Sequence, residues 1–330
     1  MDDIAVLIPC YNEEENVRPI CDAVRKVMQE DLPQYNYEIL FIDNKSKDKT
    51  RSILREMCRE DPRVKAIFNM KNFGQFNSPY YGLCQTTGDC TILLCCDFQD
   101  PVELIPVMVH EWEKGHKVIS MIKTASKENH LIYWLRSIYY KTIRAMSSVE
   151  QIEHFTGFGL YDRSFIDVLR ELKDPTPFLR GIVAEYAPAH LEIPYEQQKR
   201  RAGKTSNNFF SLFDAAMLSF TSYTKGGLRA ATFGGFLISG ISFIIALFYL
   251  IQKLLYWDKF VAGNAPILIG VFFLGGVQMF FIGLLGEYIM SMNTRVINRP
   301  LVIEEERINF SNEKVNQQIR KQENGQQSMR

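Results

Sequence analysis

Twice in its second half the chain runs for longer than a membrane is thick without a charged residue: 23 positions between Arg229 and Lys253, and 27 between Lys259 and Glu287. At about 1.5 Å per helical residue the shorter stretch covers roughly 34 Å, against a hydrocarbon core of about 30 Å. Backbone in lipid has to satisfy its own hydrogen bonds, which leaves helix as the state open to such segments. Two transmembrane helices within residues 229–291 are therefore expected, with a buried helical hairpin as the alternative. Two crossings return the chain to its starting side. Lys225, Arg229, Arg295 and Arg299 flank that side, whereas the intervening loop sets Lys253 and Lys259 against Asp258, so the basic excess places both ends in the cytoplasm.

The segment ahead of these spans alternates two periodicities. Short apolar runs at 4–8, 37–42, 64–68 and 91–96 read as strands. Residues with helical spacing lie between them, as in Val17, Ile20, Cys21, Val24, Val27 and Met28, then over 50–59 and 77–86. This βαβα order predicts an α/β domain over residues 1–200 with a mostly parallel, Rossmann-like sheet and helices on both faces. Strands at 118–121, 155–161 and 191–194 and a helix through Ile132 to Met146 complete it. Residues 201–228 read as a basic loop leading into an amphipathic helix, with Phe209, Leu212, Phe213, Ala216, Met217 and Phe220 on one face. That helix suits the membrane interface or the protein body. Residues 292–330 read as a cytoplasmic tail, disordered after 309.

Charge and cysteines narrow the setting. With 38 basic and 38 acidic residues the chain has no field for bulk nucleic-acid binding, yet Tyr195 to Arg229 carries six basic residues against two acidic ones. Such a patch suits anionic headgroups or a phosphate ligand. All seven cysteines precede residue 97, odd in number and without a CxxC pair, as expected of reduced thiols in a cytosolic domain. No GxGxxG or GxxxxGK[ST] motif occurs, which argues against dinucleotide and P-loop chemistry, and no HxxxH pair suggests zinc.

Three strand ends carry polar clusters: Pro9 to Glu13, Asp43 to Asp48, and Asp97 to Asp100. In a parallel sheet these ends share one edge, where open α/β sheets hold ligands. Asp97 and Gln99 offer oxygen donors to a hard cation, Mg2+ or Mn2+, which keeps positions open for substrate phosphates. A turn capping the following helix is the alternative. Glu13 and Asp43 can accept from a nucleoside's base or ribose hydroxyls beside Tyr11; the alternative is that Asn12 or Glu13 caps the first helix.

The segments IPCYNEEENV (8–17), FIDNKSKDKT (41–50), DFQDPVELIP (97–106), HFTGFGLYDR (154–163), FLRG (178–181) and KRRAGKTS (199–206), followed by two spans, resemble the membrane-anchored branch of glycosyltransferase family 2. That group includes dolichyl-phosphate mannose synthase and bacterial polyprenyl-phosphate glucosyltransferases. The resemblance implies a GT-A fold that passes a hexose, with UDP-glucose as first choice of donor, to a polyprenyl phosphate at the cytoplasmic membrane face. By position Pro9, Tyr11, Glu13, Asp43 and Asp97 would surround the nucleotide sugar, and Asp97 and Gln99 would hold the metal. Arg180, Arg200, Arg201 and Lys204 would approach the diphosphate or lipid phosphate.

Two positions depart from relatives. Cys95 stands where many carry the first carboxylate of DxD, and Gly157 precedes Phe158 where some carry Asp. Beside Asp97, Asp100 and Asp162 are the remaining carboxylates for auxiliary acid or base work, with capping as their alternative. A polysaccharide-extending transferase and an inactive nucleotide-sugar scaffold are the rival readings, although the QxxRW motif of processive synthases is absent. Glycines at 234, 235, 240, 275, 276 and 283 would permit close helix packing and self-association.

Overall fold

A computed structural model describes residues 3–124, 152–187, 189–202, 217, 218, 220, 226–255, 264–297 and 299–310. The chain divides into two units: Met1–Lys127, Ile152–Ser206 and Arg299–Arg330 form the first, Glu128–Gln151 and Asn207–Asn298 the second. The expected helix through Ile132 to Met146 lies outside the described residues, as does the amphipathic segment apart from helical Met217, Leu218 and Phe220.

In the first unit the apolar runs become β1 (Asp3–Cys10), β2 (Asn36–Asp43), β3 (Val64–Asn69) and β4 (Cys90–Leu93), and the helical patterns α1 (Val17–Glu30), α2 (Thr50–Glu60) and α3 (Gly74–Gln85). β1 pairs in parallel with both β2 and β4, and β2 with β3. After α4 (Ile105–Glu113) come β5 (Val118–Lys123), β6 (Phe155–Asp162), α5 (Arg163–Leu172), α6 (Leu179–Tyr186) and β7 (Leu191–Tyr195). β6 runs antiparallel to β4 and β5, while β7 is parallel to β5. The sheet order is β7-β5-β6-β4-β1-β2-β3-β8, the last strand being Glu304–Ile308.

Central strands buried on both faces read as unbroken apolar runs, and Ile4 through Ile8 are all 0% exposed. Alternate residues feed two cores. Ile4, Val6 and Ile8 join the core containing α1, α2 and α4, whereas Leu7 meets Tyr80 of α3, Ile166 of α5 and Ile182 of α6 on the other face. α1 inserts a stripe at three- and four-residue spacing, Val17, Ile20, Cys21, Val24 and Met28, each at most 1% exposed.

Two sequence expectations are corrected. β4 stops at Leu93 instead of continuing to residue 96, and Cys95 is exposed beyond its end. Helices α5 and α6 fill a stretch between β6 and β7 for which the sequence names no element. The segment after residue 292 is not wholly a tail: Glu304–Ile308 forms β8, which adds antiparallel to β3 at the sheet edge and belongs to the first unit.

The second unit contains α7 (Gly226–Leu255, 30 residues) and α8 (Asn264–Ile297, 34 residues) over the two uncharged stretches. Large apolar side chains point outward on both, Phe236 at 74% and Met279 at 69% exposed. Within α8, Phe273–Ile297 is long and apolar enough to cross a membrane, with none of it buried in protein. Of the glycines suggested for close packing, Gly234 alone would bring a Cβ within 4 Å of a neighbouring side chain, Phe281 at 3.8 Å.

Candidate active site

Because β1, β2 and β4 are parallel, the loops after Cys10, Asp43 and Leu93 emerge at one sheet edge. Each contains a residue other than glycine in the left-handed region: Asn12 (φ 55°), Lys45 (φ 66°) and Phe98 (φ 59°). Such conformations cost roughly 1–3 kcal/mol for most side chains and persist only where the surroundings hold them. The holding contacts cross between loops. Asn12 N donates to Ser46 Oγ at 2.8 Å, Lys47 N donates back to Asn12 Oδ1 at 2.8 Å, and Glu13 N donates to Thr50 Oγ1 at 2.9 Å. Neither the Asn12 nor the Glu13 side chain caps α1, although the Glu13 carbonyl accepts from Val17 N at 3.0 Å. Asp48 does organise the start of α2, accepting from Thr50 N at 3.1 Å.

Asp43 is fully buried at the end of β2. Ser46 N donates to both of its oxygens at 3.2 Å and Arg51 Nε lies 3.2 Å from Oδ2. Burial pushes its carboxyl above the usual aspartate range, opposed by the Ser46 hydrogen bonds and by Arg51. Its neighbour Asn44 ties β2 to the loop after β3, donating to Asn72 Oδ1 at 2.9 Å and Gly74 O at 3.1 Å while accepting from Phe73 N at 2.8 Å. Pro9 and Tyr11 are both half-buried beside these loops.

A second group of contacts folds the basic segment after β7 onto the first and third loops. Gln198 N donates to Gln99 O at 3.1 Å and Arg201 N to Asp97 O at 3.2 Å, while the Arg201 guanidinium stands 5.0 Å over the Phe98 ring. The Arg200 guanidinium pairs with Glu13 and its Nε lies 3.8 Å from Asp97 Oδ2. Asn16 Nδ2 donates to the other Glu13 oxygen at 2.6 Å. Burial raises the Glu13 carboxyl, the Asn16 hydrogen bond and Arg200 hold it down, and Asp97 pushes it up again. One guanidinium thus serves two carboxylates that the sequence separates by 84 positions.

Asp97 and Gln99 are half-buried, with Gln99 N donating to Asp97 Oδ1 at 3.2 Å. Among the described residues no cluster of three His, Cys, Asp or Glu side chains suits a metal. One carboxylate and one amide make an incomplete cage for Mg2+ or Mn2+, cations that bind through one or two carboxylates when substrate phosphates supply the rest. The donor set fits such an ion with a diphosphate present.

The remaining predicted residues divide sharply. Asp100 is 1% exposed, and its two oxygens accept from Cys95 N at 3.2 Å and Tyr195 Oη at 2.8 Å. It shapes the loop and presents no oxygen to a substrate, which corrects its candidacy as catalytic acid or base. Asp162 is corrected by topology: β6 is antiparallel to β4, so Asp162 pairs with Cys90 at the opposite sheet edge. There it accepts from Ser164 N at 3.0 Å as the α5 cap and from Trp112 Nε1 at 2.8 Å. Arg180 stands in the first turn of α6, which packs into the core on the other sheet face from Asp43. Lys204 lies outside the described residues. Gly157 has φ 103°, a region that favours glycine, and a Cβ there would meet Leu93 at 3.5 Å and Leu179 at 3.7 Å.

Sequence reasoning missed Asn16, Arg51 and Tyr195. Asn16, three residues after Glu13, carried a helical-spacing signal; Arg51 and Tyr195 reach their carboxylates only through tertiary folding.

Comparison with known proteins gives one family. The model for "Glycosyl transferase family 2" matches residues 5–169. The SfII prophage-derived bactoprenol glucosyl transferase of Shigella flexneri is 31% identical, covering 91% of this chain and 96% of that protein. A prophage bactoprenol glucosyl transferase homolog from Escherichia coli (strain K12) is 30% identical, covering 91% and 97%. The uncharacterized glycosyltransferase YkcC of Bacillus subtilis (strain 168) is 28% identical, covering 94% and 96%. A solved structure of glucosyl-3-phosphoglycerate synthase from Mycobacterium tuberculosis with phosphoglyceric acid aligns with a TM-score of 0.46 at 14% identity, covering 67% of this chain and 79% of that one. The family assignment does not rest on that likeness.

Proposed function

This chain belongs to glycosyltransferase family 2, and on that premise we propose that it moves glucose from UDP-glucose to a polyprenyl phosphate at the cytoplasmic membrane face. Likeness to two proteins named for bactoprenol glucosyl transfer, over nine-tenths of the chain, supports sugar and acceptor. The observation that carries the reading is the Arg200 bridge, which sets a basic segment beside Glu13 and Asp97 at the edge where Asp43 also lies. A nucleoside sits against Pro9, Tyr11, Glu13 and Asp43. Its diphosphate runs toward Asp97 and Gln99, which would hold Mg2+ or Mn2+, and toward Arg200, Arg201 and Lys204. When bound, the ion supplies positive charge to the departing diphosphate.

The reaction then needs little from a protein base. A phosphate monoester has its second pKa near about 6, so the acceptor oxygen is already ionised at neutral pH. That oxygen attacks the anomeric carbon with inversion, the bond from carbon to the β-phosphate oxygen breaks, and UDP leaves with the electron pair. No proton has to move, which accords with an Asp100 buried behind the loop and an Asp162 on the far edge. Residues 229–291 are read as a two-span hairpin, leaving the catalytic unit and the C-terminus in the cytoplasm.

The test uses the full chain in detergent with undecaprenyl phosphate, Mg2+ or Mn2+, and a panel of UDP- and GDP-sugars. Labelled product should enter organic solvent and match hexosyl-phosphoryl-undecaprenol by mass, with UDP-glucose the best donor. Asp97→Asn should lower turnover about 10²- to 10³-fold at unchanged unfolding temperature. Water-soluble polymer would favour chain extension instead. Absence of lipid product with every donor would sink the proposal.

A further inference from the structure

We infer that Glu305 is a positioning residue for the nucleotide-binding loops, an inference resting on the functional reading above. It sits on β8, the strand that sequence patterning reads as tail. The register of β8 on β3 pairs Glu306 with Phe68 and Glu304 with Asn69, so Glu305 is the extra residue of a β-bulge. Bulges re-aim side chains, and they occur disproportionately next to active sites.

The consequence is visible in the partners of two consecutive carboxylates. In a regular strand Glu305 and Glu306 would point to opposite faces. Here both engage α2. Glu306 accepts from Arg55 Nη2 at 2.6 Å and Nε at 3.0 Å, and Glu305 accepts from Arg51 Nη2 at 3.1 Å and from Lys45 Nζ at 2.6 Å. Arg51 and Arg55 are one helical turn apart, and both guanidiniums cover the Phe68 ring, at 5.0 and 4.7 Å.

The two pairs differ in what lies beyond them. Arg55 makes its direct contacts with Glu306 and feels Glu305 and Asp43 only through space, whereas Arg51 touches Asp43 itself, with Nε 3.2 Å from Oδ2. Arg51 is 14% exposed and Asp43 fully buried, so Arg51 is held between an inner and an outer carboxylate. Lys45, the second partner of Glu305, is the left-handed residue of the Asp43 loop and immediately precedes Ser46, whose N–H binds Asp43. Glu305 therefore fixes the loop and the cation that together set the direction of the Asp43 carboxylate. Without the outer carboxylate, Arg51 is free to swing wholly onto Asp43 and to compete with a nucleoside for its oxygens.

A residue that merely fastens β8 to α2 would behave like Glu306, which makes Glu306→Gln the control. UDP affinity by calorimetry, KM and kcat for the nucleotide sugar, and unfolding temperature are measured on the full chain in detergent. Glu305→Gln should weaken UDP binding and raise KM about tenfold with kcat nearly unchanged, the pattern of lost uniform binding. Glu306→Gln should leave Kd and KM at wild-type values while lowering the unfolding temperature at least as much. Lys45→Met, which removes one contact without altering β8, should raise KM in the same direction, and Glu305→Asp should restore part of the affinity. Equal effects of Glu305→Gln and Glu306→Gln on UDP binding, or none from Lys45→Met and Glu305→Gln, would overturn the inference. A wild-type chain that binds no UDP overturns the functional reading and this inference with it.

Discussion

Asp97 and Asp100 lie three positions apart and look alike in sequence, yet folding gives them opposite tasks. Asp97 keeps one oxygen on its own loop and turns the other toward Arg200; Asp100 spends both on Cys95 N and Tyr195 Oη. Burial raises the Asp100 carboxyl above its ordinary value, opposed by its Cys95 and Tyr195 hydrogen bonds. The folded state therefore binds this proton more tightly than the unfolded one. Its contribution to stability is fully present below the ordinary aspartate value of 3.8 and is lost as pH rises through the higher folded value. Asp100→Asn replaces one of the two acceptor oxygens by a donor group, at a cost of about 1–3 kcal/mol, and removes this titration. Thermal unfolding across the acid range should show the variant below wild type, with the gap largest at low pH and narrowing as pH rises. A gap that widens with pH would contradict the assignment.

At the scale of elements, period and burial made β1 to β3 and α1 to α3 legible, because a strand buried on both faces and a helix with one apolar stripe leave unambiguous patterns. β8 left none. Its sequence, EEERI, carries the charges common on edge strands, and charge by itself reads as solvated tail. What makes it a strand is the set of cations waiting on α2, roughly 250 residues earlier. Asn309, just beyond β8, closes that arrangement: its side-chain amide donates to Cys58 O in the last turn of α2 at 2.6 Å and to Val64 O at 2.8 Å. Those carbonyls include one that a helix end leaves without an intrahelical donor. Asn309→Asp would turn an acceptor toward both, so the unfolding free energy should fall by about 2–3 kcal/mol. Nucleotide affinity in the folded fraction would stay near wild type, as calorimetry below the transition can check.

For the whole molecule, the uncharged stretches become helices of 30 and 34 residues with exposed apolar side chains, and Phe273–Ile297 of α8 is long and apolar enough to cross a membrane. Ile282, 61% exposed in α8, lies inside the segment long enough to span. Ile282→Arg should cost about 2.5–3.5 kcal/mol on insertion and lower the fraction recovered with membranes, read by flotation of the expressed protein. Unchanged flotation would argue that α8 does not cross the bilayer.

The sequence determined the order of β1 to β4 and α1 to α3, and with it the edge at which Glu13, Asp43 and Asp97 converge, because local periodicity and parallel pairing decide both. It also set aside two stretches that only helix can satisfy in lipid. Tertiary structure decided which carboxylates face that edge, since the antiparallel turn of β6 carries Asp162 away and burial closes Asp100 off. It decided too that Arg200 pairs with Glu13 and that Glu305 reaches Arg51 and Lys45. Their partners lie 187 and up to 260 residues away, and no local pattern encodes an ion pair formed only when distant segments meet.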